Sequence, residues 1–272
     1  MARVPYGQQP QMEHPTMAGT LEAQAQMIWP LEKPILERLG IAKAGAVLDM
    51  GCGTGRISGR IAATWPNLEV QGVDLFQGHL ALARKDFPQE KFPRLYFHEG
   101  DARSTPWPPE TYGAVVIRHM LHALPDPQAV LREAKRVLKP GGFLYVLAED
   151  YAGLLFDAPT DEARRLWLDA VALIRETGTN LFHGREVYRD LLKAGLKDVR
   201  VDPIVVDTCN APRETFARML RFWRDGYAGF IAQALGRTPE EITRRFDSLI
   251  LTSMDTERYS CWLLLGVSGR KP

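Results

Sequence analysis

The chain has 272 residues, of which 45% are hydrophobic and 25% charged, as expected for one large globular domain with added segments. The 34 basic residues nearly balance the 33 acidic ones, so the formal net charge of +1 disfavours nucleic acid and anionic membrane surfaces as partners. The three cysteines, Cys52, Cys209 and Cys261, have neither metal-ligand nor disulfide spacing, so we expect reduced thiols, no bound metal and a cytoplasmic location.

The N-terminal segment is polar, contains prolines and lacks the apolar core of a secretory signal. No apolar run reaches the roughly 18 residues that a membrane span needs, so we expect no membrane partner. We expect a flexible arm over at least the first dozen residues, followed by a helix over Leu21–Leu39 that Pro30 and Pro34 break or kink. Residues 1–39 are therefore predicted to form an arm and a lid helix.

Strand and helix patterns then alternate along the chain. The predicted strands are Ala46–Met50, Glu69–Asp74, Leu95–Glu99, Tyr112–Ile117 and Phe143–Ala148. The predicted helices are Arg56–Thr64, Gly78–Asp86 and Pro127–Val137, the last of them stopped by the KPGG segment at Lys139–Gly142. Because strands and helices alternate and the strands are continuous apolar runs, the sequence predicts an α/β, Rossmann-like doubly wound parallel sheet with helices on both faces.

The C-terminal part adds further helices and two strands. The predicted strands are Val199–Asp207 and Tyr259–Val267. The predicted helices are Leu166–Glu176, Gly184–Lys193, Pro239–Leu251 and one that starts at Arg213 and ends either at Asp225 or at Leu235. The connection between the last two strands is unusually long, and such connections are often functional. We predict that residues 40–207 and 259–272 form the cofactor domain and that residues 208–258 form a helical cap insertion over the active site.

A glycine-rich turn follows the first strand in the stretch VLDMGCGTG, with Gly51, Gly53 and Gly55 within five residues. Glycine lets the backbone approach a ligand closely, and the next helix directs its positive N-terminus there. A dinucleotide-binding turn requires glycine at the position that Arg56 occupies, so the sequence supports dinucleotide binding only weakly. Asp49 also suits a cationic ligand group better than an anionic pyrophosphate. A nucleoside cofactor, a dinucleotide and a purely structural turn remain open on these residues alone.

Two further carboxylates follow neighbouring strands. Asp74 ends the second strand, where an acidic residue can accept both ribose hydroxyls of an adenosine, and Leu75 follows it. Asp101, in the segment EGDAR, is placed to accept from an adenine amine, with the Ala102 N–H at the ring edge. Each aspartate could instead serve only as a cap or turn residue. Together they indicate adenosine rather than a particular cofactor.

The motif series VLDMGCGTG, GVDL, EGDA, YGAVVIRHMLHALPDPQAVLREAKRVLKPGG and LKDVRV resembles that of class I S-adenosylmethionine-dependent methyltransferases. The similarity covers about residues 40 to 207 and is greatest to the group containing quinone-biosynthesis and small-molecule methyltransferases. It implies a seven-stranded sheet with an antiparallel last strand and S-adenosylmethionine as cofactor. The implied cofactor contacts are Asp49, Gly51, Cys52, Gly53, Thr54, Gly55, Asp74, Leu75, Asp101, Ala102 and Arg118.

Candidate catalytic residues follow the fourth and fifth strands. His119 and His122 lie three residues apart in IRHMLHALPD, and either imidazole could act as a base if the acceptor must lose a proton. His119 is the stronger candidate because it is nearer the strand end, and Asp150 is a second possible base. The alternative is that the histidines are structural and that no base is used.

Three segments are expected to converge above the cofactor edge, namely the N-terminal arm, Tyr151–His183 and the insertion, and the candidate substrate residues come from the last two. They are Tyr151, Asn180 and His183, together with Trp223 and Tyr227 of the insertion. The aromatic residues of the insertion favour a planar or apolar acceptor, although such a stripe is more often internal packing. Asn180 and His183 could instead cap the next helix.

We therefore expect an S-adenosylmethionine-dependent methyltransferase that acts on oxygen, nitrogen or carbon of a small molecule, as a monomer or homodimer. The alternatives are a peptide or protein methyltransferase, a non-catalytic S-adenosylmethionine-binding protein and a NAD(P) oxidoreductase. The sequence after the fourth strand lacks both the Asn/Asp-Pro-Pro-Tyr turn typical of DNA adenine methyltransferases and the cysteine of cytosine-C5 enzymes. Neither of those chemistries is expected.

Overall fold

The structure, a computed structural model, describes residues 14–174 and 179–272, and the expected N-terminal arm falls largely outside them. Its strands are β1 (Ala46–Met50), β2 (Glu69–Asp74), β3 (Leu95–Glu99), β4 (Tyr112–Arg118), β5 (Leu138–Phe156), β6 (Lys197–Asp207) and β7 (Ser260–Arg270). Its first helices are α1 (Thr16–Leu39), α2 (Arg56–Thr64), α3 (Gln77–Asp86) and α4 (Pro127–Val137). The later helices are α5 (Asp161–Arg164), α6 (Leu166–Ile174), α7 (Gly184–Lys193), α8 (Arg213–Leu235) and α9 (Pro239–Met254).

The seven strands form one sheet in the order β3-β2-β1-β4-β5-β7-β6. The five strands from β3 to β5 run parallel, and β7 runs antiparallel to both of its neighbours. The central strand β1 is buried from Val47 to Met50, as expected for a strand covered by helices on both faces. The predicted Rossmann-like sheet with an antiparallel last strand is therefore confirmed.

Helix α1 is one continuous helix, so the predicted break at its prolines was wrong. Pro30 and Pro34 both lie inside it and both are exposed. Because they are four residues apart, they share one face, where water can solvate the carbonyl groups that have lost an N–H donor. The helix ends at Gly40, whose φ of 92° provides a left-handed C-terminal cap.

Strand β5 is much longer than the predicted Phe143–Ala148 because its pairing with β7 continues to Phe156 and its pairing with β4 begins at Leu138. Phe143 lies opposite Arg270 and Phe156 opposite Ser260, with a shift in register between Glu149 and Leu154. The predicted stop signal at Lys139–Gly142 does end helix α4 at Val137, but the strand begins immediately afterwards. The predicted end of the next helix, beyond Ile174, lies outside the described residues.

Helices α8 and α9 form the long connection between β6 and β7. Helix α8 packs against α1, where Gly19 lies in contact with the ring of Phe222. Its Trp223 reaches Trp262 of β7, with ring centroids 5.4 Å apart. None of the described helices combines the length and the apolarity needed to cross a bilayer.

Candidate functional site

A cleft opens at the carboxyl ends of the parallel strands, with a volume of about 1040 Å³ including the solvent at its mouth. The sequence-predicted residues that line it are Asp49, Gly51, Cys52, Gly53, Thr54, Asp74, Leu75, Ala102, Arg118 and His119. The additional lining residues include Leu21 and Gln24 of α1, Ile57 of α2, Phe76 and Met120. This is the edge at which open α/β sheets bind their ligands, so the cleft is the candidate active site.

The glycine turn after β1 needs glycine for two different reasons. Gly51, Gly53 and Gly55 have φ values of 76°, 54° and 72°, a region that residues with a Cβ rarely adopt. A Cβ on Gly51 would also lie 2.5 Å from the Met120 sulfur, and one on Gly55 would lie 2.6 Å from the Phe97 ring. Gly51 and Gly53 line the cleft, whereas Gly55 faces Phe97 and caps helix α2.

Asp49 lies at the end of β1 with only 2% of its surface exposed. Its carboxylate accepts a hydrogen bond of 2.6 Å from the Ser58 hydroxyl. Burial raises the pKa of Asp49 from 3.8 to about 6, because desolvation outweighs the Ser58 bond and the nearby Arg118 charge. A cationic group in the cleft would favour the ionised carboxylate and relieve this cost.

Asp74 is held in place by backbone N–H groups at both of its carboxylate oxygens. Gly53 N donates to Oδ2 at 2.8 Å, and Phe76 N donates to Oδ1 at 2.9 Å. Burial raises the pKa of Asp74 even though these backbone bonds act in the opposite direction. Each oxygen keeps a second lone pair, so the carboxylate can accept two further hydrogen bonds from a diol in the cleft.

Asp101 is engaged differently from its predicted role. Its carboxylate accepts from the Arg103 backbone and side chain, including a 2.6 Å bond from Nη2, and it does not line the cleft. Partial burial raises the pKa of Asp101, but the bonds from Arg103 outweigh this and lower the pKa overall. An adenine amine would have to compete with Arg103, whereas the neighbouring Ala102 does line the cleft.

Several buried polar atoms of residues that line the cleft lack a hydrogen-bond partner, and two of them belong to residues predicted to contact the cofactor. These two are the Thr54 hydroxyl in the glycine turn and Nη2 of Arg118 at the end of β4. The Nε of Arg118 donates to Glu32 of α1 at 2.8 Å, and both side chains are buried. Because buried polar groups normally have partners, these atoms indicate an anionic or acceptor group of a ligand.

His119 lies immediately beyond β4 and has a positive φ of 51°. Its Nδ1 lies 2.5 Å from Oε1 of Glu149, and its ring stacks on Trp262 at a centroid distance of 5.9 Å. Its Nε2 is buried without a partner, and the residue lines the cleft. The ring is thus fixed by its neighbours and presents one free nitrogen.

Glu149 is a further functional candidate, because it contacts both histidines. These contacts were not predicted from the sequence. Only 2% of the surface of Glu149 is exposed, and its Oε2 lies 3.1 Å from Nδ1 of His122. Burial raises the pKa of Glu149, but the charges and hydrogen bonds of His119 and His122 outweigh burial and hold it well below the usual range. His122 itself does not line the cleft.

Asp150, the predicted second base, lies on the next position of β5 and binds Arg185. Arg185 Nη2 donates to Asp150 Oδ1 at 2.8 Å, and the Ala152 N–H also donates to that oxygen. Successive side chains of a strand point to opposite faces, so Glu149 reaches the histidines while Asp150 does not line the cleft. Strand alternation is the signal that could have favoured Glu149.

The predicted substrate residues do not line the cleft. Tyr151 and Trp223 belong to a packed aromatic cluster with Trp167 and Trp262, in which ring centroids are 5.1 to 6.3 Å apart. Tyr227 is partly buried against the core, and burial followed by the Glu149 charge raises its pKa. A substrate role for these three residues stays a prediction.

Asn180 and His183 lie before and at the start of helix α7. The Asn180 side chain bonds the Phe182 N–H and Glu186, and His183 Nε2 lies 3.0 Å from Asp190. Ligand atoms of His183, Glu186 and Asp190 lie within 4.8 Å of one another, so this group could hold a metal ion. The contacts of Asn180 match the alternative reading of a local turn and helix-start role.

Comparisons with known proteins agree with this geometry. A methyltransferase-domain family profile matches residues 48–146. The chain is 26% identical to a demethylmenaquinone methyltransferase of Halalkalibacterium halodurans over 69% of this chain and 81% of the relative. It is 39% identical to the ubiquinone/menaquinone biosynthesis C-methyltransferase UbiE of Syntrophotalea carbinolica, over 41% of this chain and 47% of the relative. The chain therefore spans under half the length of this second relative.

Solved structures share the fold at low sequence identity. The [4+2]-cyclase SpnF superposes with a TM-score of 0.60 and 20% identity, over 98% of this chain and 97% of the cyclase. A phosphoethanolamine N-methyltransferase 2 of Haemonchus contortus with bound S-adenosylhomocysteine gives a TM-score of 0.56 and 20% identity, over 90% of this chain and 53% of the other.

The matched domain, the relatives and the fold support a class I S-adenosylmethionine-dependent methyltransferase. The sheet order, the glycine turn and the matched methyltransferase domain support this class together. The sequence-based identification of the enzyme class and of S-adenosylmethionine as cofactor is confirmed. The contacts of individual residues and the identity of the acceptor are the subject of the proposals below.

Proposed function

We propose that the enzyme methylates oxygen, nitrogen or carbon of a small, planar or apolar molecule, with His119 as the catalytic base where the acceptor must lose a proton. The observation that carries this proposal is the free, buried Nε2 of His119 in the wall of the cofactor cleft. An imidazole that is held in place with one free ring nitrogen can accept a proton from a substrate bound beside it.

The residues present fit the cofactor. Asp49 would bind the ammonium group, while the unpartnered Thr54 hydroxyl and Arg118 guanidinium would bind the carboxylate. The free lone pairs of Asp74 would accept from the ribose hydroxyls. Leu75 and Ala102 would border the adenine. The unpartnered polar atoms thus match complementary groups of S-adenosylmethionine.

In the mechanism, S-adenosylmethionine supplies an activated methyl group when bound, and the protein contributes positioning. The glycine turn lets the backbone approach the cofactor, and Asp74 fixes that turn through the Gly53 N–H. Leu21 and Gln24 of α1 line the cleft and limit water access there. His119 accepts the acceptor's proton, and its stacking on Trp262 keeps the ring in one orientation.

A small acceptor is supported by the size of the cleft, which α1 helps to line, and by relatives named for quinone methylation. The near-neutral net charge supports an acceptor other than nucleic acid. The free cysteines Cys52, Cys209 and Cys261 support a reducing, cytoplasmic location. A peptide acceptor is the second candidate, and a non-catalytic binder is the third.

The proposal is tested by incubating the protein in a metabolite and protein extract with S-adenosylmethionine labelled at the methyl group. We expect mass spectrometry to find label on a small molecule with the wild type and at least a tenfold lower yield with Asp74→Ala, because the ribose acceptor is lost. Label in the protein fraction would overturn the proposal in favour of a peptide acceptor. Absence of any labelled product would overturn it in favour of a binder.

A further inference from the structure

One carboxylate, Glu149, contacts both histidines that follow strand β4. Its Oε1 lies 2.5 Å from Nδ1 of His119, and its Oε2 lies 3.1 Å from Nδ1 of His122. All three side chains are buried, with 2% of the Glu149 side chain and 8% of each histidine side chain exposed. The contact with His119 is a charge-assisted hydrogen bond in a site from which water is largely excluded.

The backbone of His119 is tied to the same strand that carries Glu149. The His119 N–H donates to the Leu147 carbonyl at 3.2 Å, two positions before Glu149 on β5. His119 has a left-handed φ of 51°, which a non-glycine residue keeps only when its surroundings hold it there. Strand β5 thus holds both the main chain and the ring of His119.

We propose that Glu149 is a positioning residue that holds His119 as the tautomer protonated on Nδ1 and so keeps Nε2 free as the base. An ionised carboxylate only accepts hydrogen bonds, so the nitrogen that faces it must carry the proton. The other nitrogen then presents a lone pair, and it is the one left without a partner beside the cleft. This inference rests on the proposed function and deepens it.

Other titratable groups also face Glu149. His122 comes from the short helical turn after β4, Tyr151 from β5 and Tyr227 from α8. Burial and the Glu149 charge raise the pKa of both tyrosines, so they stay neutral near pH 7. Glu149, which also contacts His122, therefore provides the negative charge beside His119.

The arrangement favours an acceptor that carries an acidic O–H, such as a ring hydroxyl or an enol. The acceptor proton passes to Nε2 of His119, and the acceptor's electron pair forms the new bond to the methyl carbon. S-adenosylmethionine, when bound, would supply that methyl carbon and would keep the carbon–sulfur electron pair on its sulfur. The imidazolium that forms when His119 takes up the proton is stabilised by the Glu149 carboxylate.

The test is nitrogen-15 NMR of the histidine rings in the full-length protein bound to S-adenosylhomocysteine, with His119 assigned from the His119→Asn variant. In the wild type we expect His119 to carry its proton on Nδ1 near pH 8. Nε2 protonation there would overturn the proposal, and this outcome is read from the wild-type protein.

The second measurement compares titrations of His119 in the wild type and in Glu149→Gln. Loss of the carboxylate charge should lower the titration midpoint of His119 by at least about one pH unit. The matched control is Glu133→Gln, which changes another buried carboxylate that binds Thr105 and Arg136 outside the cleft. It should leave the His119 midpoint unchanged, and an equal shift in both variants would overturn the proposal.

Calorimetry with S-adenosylhomocysteine separates this inference from the function on which it rests. We expect the affinity of Glu149→Gln to stay within about threefold of the wild type, because Glu149 does not line the cleft. A loss of affinity well beyond that range would overturn the positioning role, since Glu149 would then support the cofactor site. Failure of the wild type to bind would instead refute the proposed function.

Discussion

At the scale of single residues, the buried carboxyl of Asp49 lowers the stability of the cofactor-free protein but provides a binding partner for a cationic group of the cofactor. Its pKa rises from 3.8 in the unfolded chain to about 6 in the fold, mainly through desolvation. The folded state therefore binds this proton more tightly than the unfolded state does, and the contribution of Asp49 to stability falls as pH rises from about 4 to 6. Near pH 7 the ionised carboxylate costs up to about 3 kcal/mol without a cationic partner.

We predict that Asp49→Asn stabilises the cofactor-free protein at pH 7 by up to about 3 kcal/mol, because the buried charge is removed. The gain should shrink as pH falls from 6 toward 4, where Asp49 of the wild type is itself protonated. Urea unfolding at several pH values measures this. The same variant should lose at least tenfold in affinity for S-adenosylmethionine, and lower stability at pH 7 would contradict the account.

Single residues differ in how far the sequence alone could place them. Asp49, Gly51 and Asp74 sit at characteristic spacings within one strand-turn-helix-strand unit, so their place in the cleft was predictable. The contact of Glu149 with His119 joins residues 30 positions apart and depends on the register of β4 and β5. The pairing of Asp101 with Arg103 depends on side-chain conformation, which no spacing rule gives.

Helix α1 is joined to the sheet by a buried ion pair. Arg118 at the end of β4 donates to Glu32 of α1 at 2.8 Å, and Glu32 has no exposed surface. Near the other end of the helix, Glu22 pairs with Arg56 and Arg60 of α2 at 3.0 and 3.3 Å. These contacts hold α1 across the cofactor cleft.

We predict that Glu32→Ala destabilises the protein by about 3–5 kcal/mol, because it leaves the buried Arg118 charge without a partner. The control is Glu37→Ala on the same helix, which removes an exposed pair with Lys33 at 3.5 Å and should change stability by about 0.5 kcal/mol or less. Chemical denaturation measures both variants. Equal effects would show that the buried pair contributes no more than the surface pair.

The bounds of helices and strands were predicted well where the local sequence pattern determines them, and less well where tertiary contacts determine them. Strand β1 and helix α2 have the predicted bounds because hydrophobic periodicity and a glycine turn define them. Strand β5 extends beyond its apolar run because β7 supplies hydrogen-bond partners as far as Phe156. The continuity of α1 through Pro30 and Pro34 depends on an exposed face that the sequence does not specify.

At the scale of the whole molecule, alternation of strands and helices was enough to predict the sheet and the edge where the cleft lies. The residues that surround the acceptor were harder to predict from the sequence. Three of the predicted substrate residues, Tyr151, Trp223 and Tyr227, pack against the core, and Leu21 and Gln24 of α1 face the cleft instead. The division into arm, cofactor domain and cap insertion stays a prediction.

The central claim, that His119 acts on the acceptor and not on the cofactor, is tested most directly by His119→Asn. Asparagine tolerates the left-handed φ of 51° at this position but cannot accept the proton. We predict at least a 100-fold slower appearance of labelled product from the same extract, on the order expected for loss of a general base, with S-adenosylhomocysteine affinity within about threefold of the wild type. Turnover within about threefold of the wild type would contradict the account, because it would remove His119 from the reaction.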